Sequence, residues 1–252
     1  MLAPVRRVTV AERRARVGTR HLLATGTAAP DPIAVTEALL ALHATDPATV
    51  YLSAAARMTH PDHQAMERAQ YDTRELVRML AMRRTMFVVS AGAAPVVQAA
   101  ASDAIAEQLR RQYAQLLERA GVAGDGAGWL ARAGEAAMES LRRSGELTGV
   151  ELGRATPLLQ TKVALAEGKA YSTNSNVTGW VTNCLAAEGR ILRGRPLGSW
   201  TGNQYRWRLA VGTPRPAGPE ARAAARAKLA RRWLVAFGPA TVADVQWWMG
   251  WS

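Results

Sequence analysis

Residues 189 to 209 constrain the fold more than any other stretch. A helical apolar pattern runs from Val177 to Glu188 and stops at Gly189, as a helix does at a C-cap glycine. Two short alternating runs follow, Arg190-Ile191-Leu192-Arg193-Gly194-Arg195 and Gln204-Tyr205-Arg206-Trp207-Arg208-Leu209. Between them lies the turn-rich segment Pro196 to Asn203. Alternation with a period of two reads as half-buried strand, and the Gly/Pro/Ser/Asn-rich spacer reads as the turn of a hairpin. A helix feeding directly into such a hairpin is the outline of a winged helix. Five arginines lie on the two strands with no acidic residue between them, interleaved with Trp200, Tyr205 and Trp207. Arginine suits phosphate contacts, while the aromatics either stack on bases or pack under the sheet.

The same outline occurs earlier in the chain. Val8 to Ala24 reads as a basic amphipathic helix. In Glu37 to Met58, two apolar runs flank Asp46-Pro47, an N-cap followed by proline at the first helical position. The runs therefore read as two helices meeting at a tight corner, with His43 and Thr45 at its mouth. Thr73 reads as the cap of a further helix, Arg74 to Met79. Leu80 to Met82 and Thr85 to Val89 then bracket Arg83 and Arg84 as a hairpin with a basic tip. Pro95 to Ala120 is a long helical pair or a bent helix. The stretch from Gly121 to Gly128 marks a boundary; it lacks the flanking strand and the Lys-Ser/Thr of a phosphate-binding loop.

Beyond it, Trp129 to Arg143 and Leu147 to Leu152 are helices, and Pro157 to Ser172 is a loop-rich insertion or short strands. Val177 to Glu188 is the candidate recognition helix. Thr213 to Pro219 is a proline-rich linker. Ala221 to Ala236 and Val242 to Met249 are helices that begin a third unit. The expected class is mainly α with small β-hairpins, an α+β fold of tandem winged-helix domains. Residues 1–120 form the first with its trailing helices, 128–212 the second, and 220–252 an incomplete third, as though the chain were truncated.

Charge narrows the partners. Among 252 residues, 32 Lys and Arg stand against 20 Asp and Glu, a formal net charge of +12. Such an excess favours a polyanion, and nucleic acid is the commonest one. The single cysteine, Cys184, excludes an internal disulfide and suits a reducing compartment. The four histidines are scattered, so no metal site and no cofactor are expected. No apolar run reaches the roughly 18 residues of a membrane helix, and the N-terminus lacks a signal-peptide core. A soluble, cytoplasmic, nucleoid-associated monomer that binds double-stranded DNA is the expectation.

Several segments, taken in order, resemble the AlkZ/YcaQ-like bacterial DNA glycosylases, winged-helix proteins that excise bulky alkylated bases and unhook crosslinks. Arg78 to Val89 is similar to that family's R-x-L-A-M-R-R-T-x-F-V-V segment. Gly194 to Trp207 is similar to its G-x-W-T-x-x-Q-Y-R-W wing, and Phe237 to Trp248 to the helix-turn-helix start that follows. Family members carry Gln-x-Gln where this chain has His43-Ala44-Thr45, followed by a similar Asp-Pro helix start.

The resemblance implies a monofunctional glycosylase, with His43, Thr45 and Asp46 as candidate catalytic residues. A glycosylase holds a flipped nucleotide, stabilises oxocarbenium-like charge and positions a water. His43 can exchange a proton with water or the departing base, and Thr45 can hold the water through its hydroxyl. The expected DNA contacts are Arg83, Arg84, Arg190, Arg193, Arg195, Trp200, Asn203, Gln204, Arg206 and Arg208. A non-catalytic DNA-binding regulator or damage sensor on the same fold is the alternative.

Overall fold

The computed structural model describes residues 7–165, 173–210 and 218–251. Most of the proline-rich linker and residues 166–172 of the insertion therefore lie outside the described residues. The architecture is α+β, with helices around small antiparallel sheets.

Helix α1, Val10–Arg20, is capped by the Thr9 hydroxyl, which accepts from the Glu12 amide. Helix α2, Pro32–Ala38, starts at Asp31 with proline in its first turn. The expected continuation of this helix through Leu42 does not occur. Leu40 adopts a left-handed φ of 66°, and the chain then forms strand β1, Leu42–His43. Four consecutive apolar residues fit a buried strand as well as a buried helix, so periodicity could not separate the two. Helix α3, Pro47–Ala55, begins where Asp46-Pro47 predicts. Helix α4, His63–Glu67, runs on into one π turn at Arg68–Asp72.

The expected helix at Arg74 to Met79 is instead strand β2, Leu76–Leu80. It pairs over its whole length with β3, Met86–Ser90, from Leu76 opposite Ser90 to Leu80 opposite Met86. Arg74, at φ 60°, blocks a helical run into it, and pairing with a distant strand overrides weak helical preference. Arg83 and Arg84 sit at the hairpin tip, both left-handed at φ 55° and 57°. Strand β1 adds to the far side of β3, with His43 opposite Phe87, giving the order β1-β3-β2.

Helix α5, Ala94–Val97, passes through a π turn at Gln98–Ser102 into α6, Asp103–Arg119. The start of this rod packs with the first sheet, while Ala114 and Leu117 near its end belong to the next core. Helix α7, Gly126–Ser144, folds back on it. Gly126 lies so close that an added Cβ would fall 2.2 Å from the Ala114 carbonyl oxygen. Strand β4, Leu147–Thr148, leads into α8, Gly149–Ala155, whose start is a capping box of Thr148 and Glu151. Strands β5, Lys162–Leu165, and β6, Thr173–Asn176, pair with each other.

Helix α9, Val177–Ala187, buries Val177, Trp180, Val181, Cys184 and Leu185 and exposes Gly179 and Asn183. The candidate recognition helix is thus largely a core helix. Strands β7, Ile191–Pro196, and β8, Tyr205–Leu209, form the second hairpin, and β4 joins β8 in the order β4-β8-β7.

Two helices complete the described chain, α10, Gly218–Phe237, and α11, Val242–Met249. One face of the first sheet, with Leu42, Leu76 and Val88, packs against α2 and α3. Its other face, with Met79, Phe87 and Val89, packs against Leu229, Trp233 and Met249 of α10 and α11. Strands β2 and β7 touch, so the two sheets meet along a seam. Among the described residues, no helix is long and apolar enough to cross a membrane.

Candidate functional site

His43, the last residue of β1, and Thr45, two residues beyond it, are both exposed. Between them Ala44 is fully buried, and its amide donates to the Met86 carbonyl at 2.8 Å. That bond extends the β1–β3 pairing and fixes the direction of the two flanking side chains. The His43 ring meets Phe87 edge-on at 5.4 Å, and its Nε2 lies 3.3 Å from the Thr45 hydroxyl. The two therefore form one polar pair on an aromatic floor. Asp46 occupies the N-cap position of α3, but its carboxylate accepts from the Thr49 hydroxyl at 2.9 Å and caps no backbone amide.

Arg78, which sequence reasoning left out of the site, stands against the same strand. Its guanidinium donates to the Ala44 carbonyl at 2.6 Å. Burial lowers its pKa, against the weaker opposing pull of Tyr71, Tyr205, Tyr51 and Asp46. The signals in the sequence were one arginine inside the apolar run Leu76 to Leu80 and its place as the first residue of the family-like segment Arg78 to Val89. Tyr51 and Tyr71 lie nearby, and burial raises the pKa of both phenols.

The second hairpin reaches this region. Arg195 bridges to Glu67 at 2.6 Å and Asp72 at 2.8 Å, and its guanidinium lies over the Tyr71 ring at 5.3 Å. Trp200 packs on Tyr51 with ring centroids 5.0 Å apart. Arg193 lies over Tyr205 at 4.3 Å and Trp207 at 5.7 Å, and burial lowers its pKa. Arg206 pairs with Glu151 at 3.0 Å, and Arg190 pairs with Glu135 and, at 3.6 Å, with Glu188. Burial, followed by Arg74, lowers the pKa of Arg208.

Arg83 and Arg84 are exposed at the first hairpin tip, with Arg83 over the Trp247 ring at 4.7 Å. Asn203 and Gln204 are brought to a different place, a cleft of about 870 Å³ between α8, α9 and the second hairpin loop. Asn183 of α9, also missed in the sequence, lines that cleft. The predicted residues thus fall into four groups: the His43–Thr45 edge, the first hairpin tip, the second hairpin with the seam, and the cleft. Among the described residues, no cluster of three or more His, Cys, Asp or Glu could hold a metal ion.

Residues 36–252 match the family described as DNA glycosylase AlkZ-like. No curated protein matches the chain. Among solved structures, the DNA glycosylase AlkZ of Streptomyces sahachiroi is similar, with a TM-score of 0.59 at 17% identity. The alignment covers 94% of this chain and 64% of that one, so the chain spans a little under two thirds of its length. At that identity the likeness is one of fold.

Proposed function

Because the chain belongs to the AlkZ-like DNA glycosylase family, we propose that it binds double-stranded DNA through tandem winged helices and hydrolyses the N-glycosidic bond of bulky alkylated or crosslinked bases. The two hairpins with their preceding helices are the winged-helix units of that reading, and α10 and α11 begin the third. A soluble, nucleoid-associated monomer needing no cofactor completes it.

The observation that carries the reading is the exposed His43–Thr45 pair, 3.3 Å apart, where the resemblance sets the family's Gln-x-Gln. In this mechanism water adds to the anomeric carbon as the bond to the base breaks. Thr45 holds the water through its hydroxyl, and the His43 imidazole takes the water's proton or passes one to the leaving base. The carboxylate of Asp46, exposed two residues beyond Ala44, adds negative charge near the developing oxocarbenium. Arg83 and Arg84, with the arginines of the second hairpin, supply the phosphate contacts that set affinity.

The experiment is incubation of the protein with a duplex carrying a bulky N7-alkylguanine, followed by detection of free base. Release that disappears in His43→Ala supports the assignment, and release that survives it refutes the site. A second reading, a binding protein without excision, is favoured by one feature: a hydroxyl and an imidazole lack the paired donor and acceptor of two amides. Absence of release across bulky and simple alkyl lesions, with duplex binding intact, selects that reading.

A further inference from the structure

Arg78 and Arg193 are the electrostatic anomaly of this molecule. They stand on β2 and β7, the two strands that touch at the seam. Both side chains are substantially buried, and the Nε–H of each is enclosed with no acceptor. Neither guanidinium has a carboxylate partner among the described residues. The nearby acids are engaged elsewhere: Glu67 and Asp72 hold Arg195, and Glu151 holds Arg206. Asp46 acts on Arg78 only as the weakest of its charge neighbours, and its carboxylate binds Thr49. Arg78 also disfavours the charge on Arg193.

Withdrawing a cation from water without a counter-charge is unfavourable by several kcal/mol. Buried unsatisfied donors are rare enough that each one calls for an explanation. Both side chains line one small cavity of about 30 Å³, with Met79, Leu80, Asn183 and Trp207 among its walls. That volume admits one water-sized atom. It excludes a base or a sugar but accepts a single oxygen. A guanidinium fork is suited to phosphoryl oxygens, and two arginines lining one cavity would balance such an oxygen's charge.

We propose that Arg78 and Arg193 form a seat for one anionic phosphoryl oxygen at the seam between the two sheets, beside the His43–Thr45 strand. The identification of that oxygen with a DNA phosphodiester rests on the reading of the protein as a DNA-binding glycosylase; free phosphate offers the same chemistry. Arg78 couples the seat to the strand, since the same guanidinium donates to the carbonyl of Ala44 between the two candidate catalytic residues. Occupying the seat would hold the backbone of the polar pair while the phosphate on one side of the target nucleotide is anchored.

Arg193 is the cleaner probe, because its side chain makes no hydrogen bond to the described residues. Wild type and Arg193→Met are melted in phosphate-free buffer and again with inorganic phosphate, and both are titrated with duplex over a salt series. Without phosphate, Arg193→Met melts at the wild-type temperature or about 2–4 °C above it, because a buried charge held only by two aromatic rings has been replaced by an apolar side chain. Phosphate raises the wild-type midpoint and leaves that of the variant unchanged. The slope of log affinity against log salt falls by about one unit in the variant.

A phosphate effect lost together with slope assigns the seat to phosphoryl oxygen from either source. Lost slope with no phosphate effect in either chain assigns it to the phosphodiester, and a lost phosphate effect with unchanged slope assigns it to free phosphate. Equal phosphate response and equal slope in the two chains overturn the proposal. So does an Arg193→Met that melts well below wild type while Arg193→Lys restores the midpoint and neither changes slope or phosphate response. The phosphate arm needs no DNA and no catalysis, so failure of base release or of duplex binding leaves it readable.

Discussion

The two hairpins look alike in sequence and differ in what their arginines meet. The first, β2–β3, presents Arg83 and Arg84 at an exposed tip, with Trp247 under one guanidinium. The second, β7–β8, carries four arginines with Arg190 just before it, and three of these five are already matched by carboxylates of this chain: Arg190, Arg195 and Arg206. Arg193 is shielded by two aromatic rings, and Arg208 is half-buried. The hairpin richer in arginine is therefore the one whose charge is more fully used inside the molecule. A count of basic residues measures potential partners; exposure and pairing decide how much of that charge an outside phosphate meets. The partly exposed pairs of the second hairpin are worth little to stability and can exchange partners with phosphate. The first tip has no such exchange to make.

The largest expected effect lies beside the first hairpin. His43→Ala should reduce base release by a hundredfold or more, the usual scale for loss of a positioned acid or base, roughly 10²–10⁴. Duplex affinity should stay within about 1 kcal/mol, because phosphate contacts dominate binding. Single-turnover release and a binding titration on one preparation separate the two. Next in size is the salt response. Arg83→Ala with Arg84→Ala should lower the salt slope by about two units, against about one or less for Arg195→Ala with Arg206→Ala. A larger loss from the second pair would reverse the contrast between the hairpins.

A smaller effect tests how the second hairpin is held. Trp200 packs on Tyr51, and Arg195 ties Glu67 and Asp72 to the same hairpin. Trp200→Ala should cost about 2 kcal/mol, below the 3–5 typical of a fully buried Trp because Trp200 remains partly exposed. Denaturant unfolding measures it, and no change in midpoint would mean the hairpin is not latched there. The smallest effect is a pH dependence at the other end of the first unit. Burial, and then Arg57, lowers the pKa of His21, which packs edge-on against Phe237. The unfolded chain then binds a proton more readily than the folded one. Stability is complete above the unfolded-state value of about 6.5 and declines as pH falls through it. His21→Gln should flatten that acid limb between about pH 7.5 and 5.5, as read by unfolding midpoints.

Much of the architecture was legible because it is written locally. Gly189, with its φ of 67°, ends α9 where a residue without a side chain is favoured, and Asp46-Pro47 marks the start of α3. Period-two alternation located β7 and β8 within a residue or two. The misread segments, Ala38 to Leu42 and Arg74 to Met79, are short runs whose state depends on what lies beside them. Each runs into a strand, β1 and β2, because β3 supplies the partner for both.

At the candidate site, residue types and their spacing placed His43, Thr45 and the arginines in view. Arg78 was passed over, because a lone arginine in an apolar run carries no local sign of being buried. By itself the sequence determined the α+β class, the two basic hairpins and the polar pair on either side of Ala44. Those follow from backbone preferences and periodicity, which act between near neighbours. Only the tertiary structure decided which arginines are matched and which are left with unmet charge. Arg195 meets Glu67 across 128 positions of chain, and Arg78 and Arg193 meet at a seam between two separate sheets. Pairing over such separations is set by packing of whole elements, so a side chain's electrostatic duty cannot be read from its neighbours in sequence.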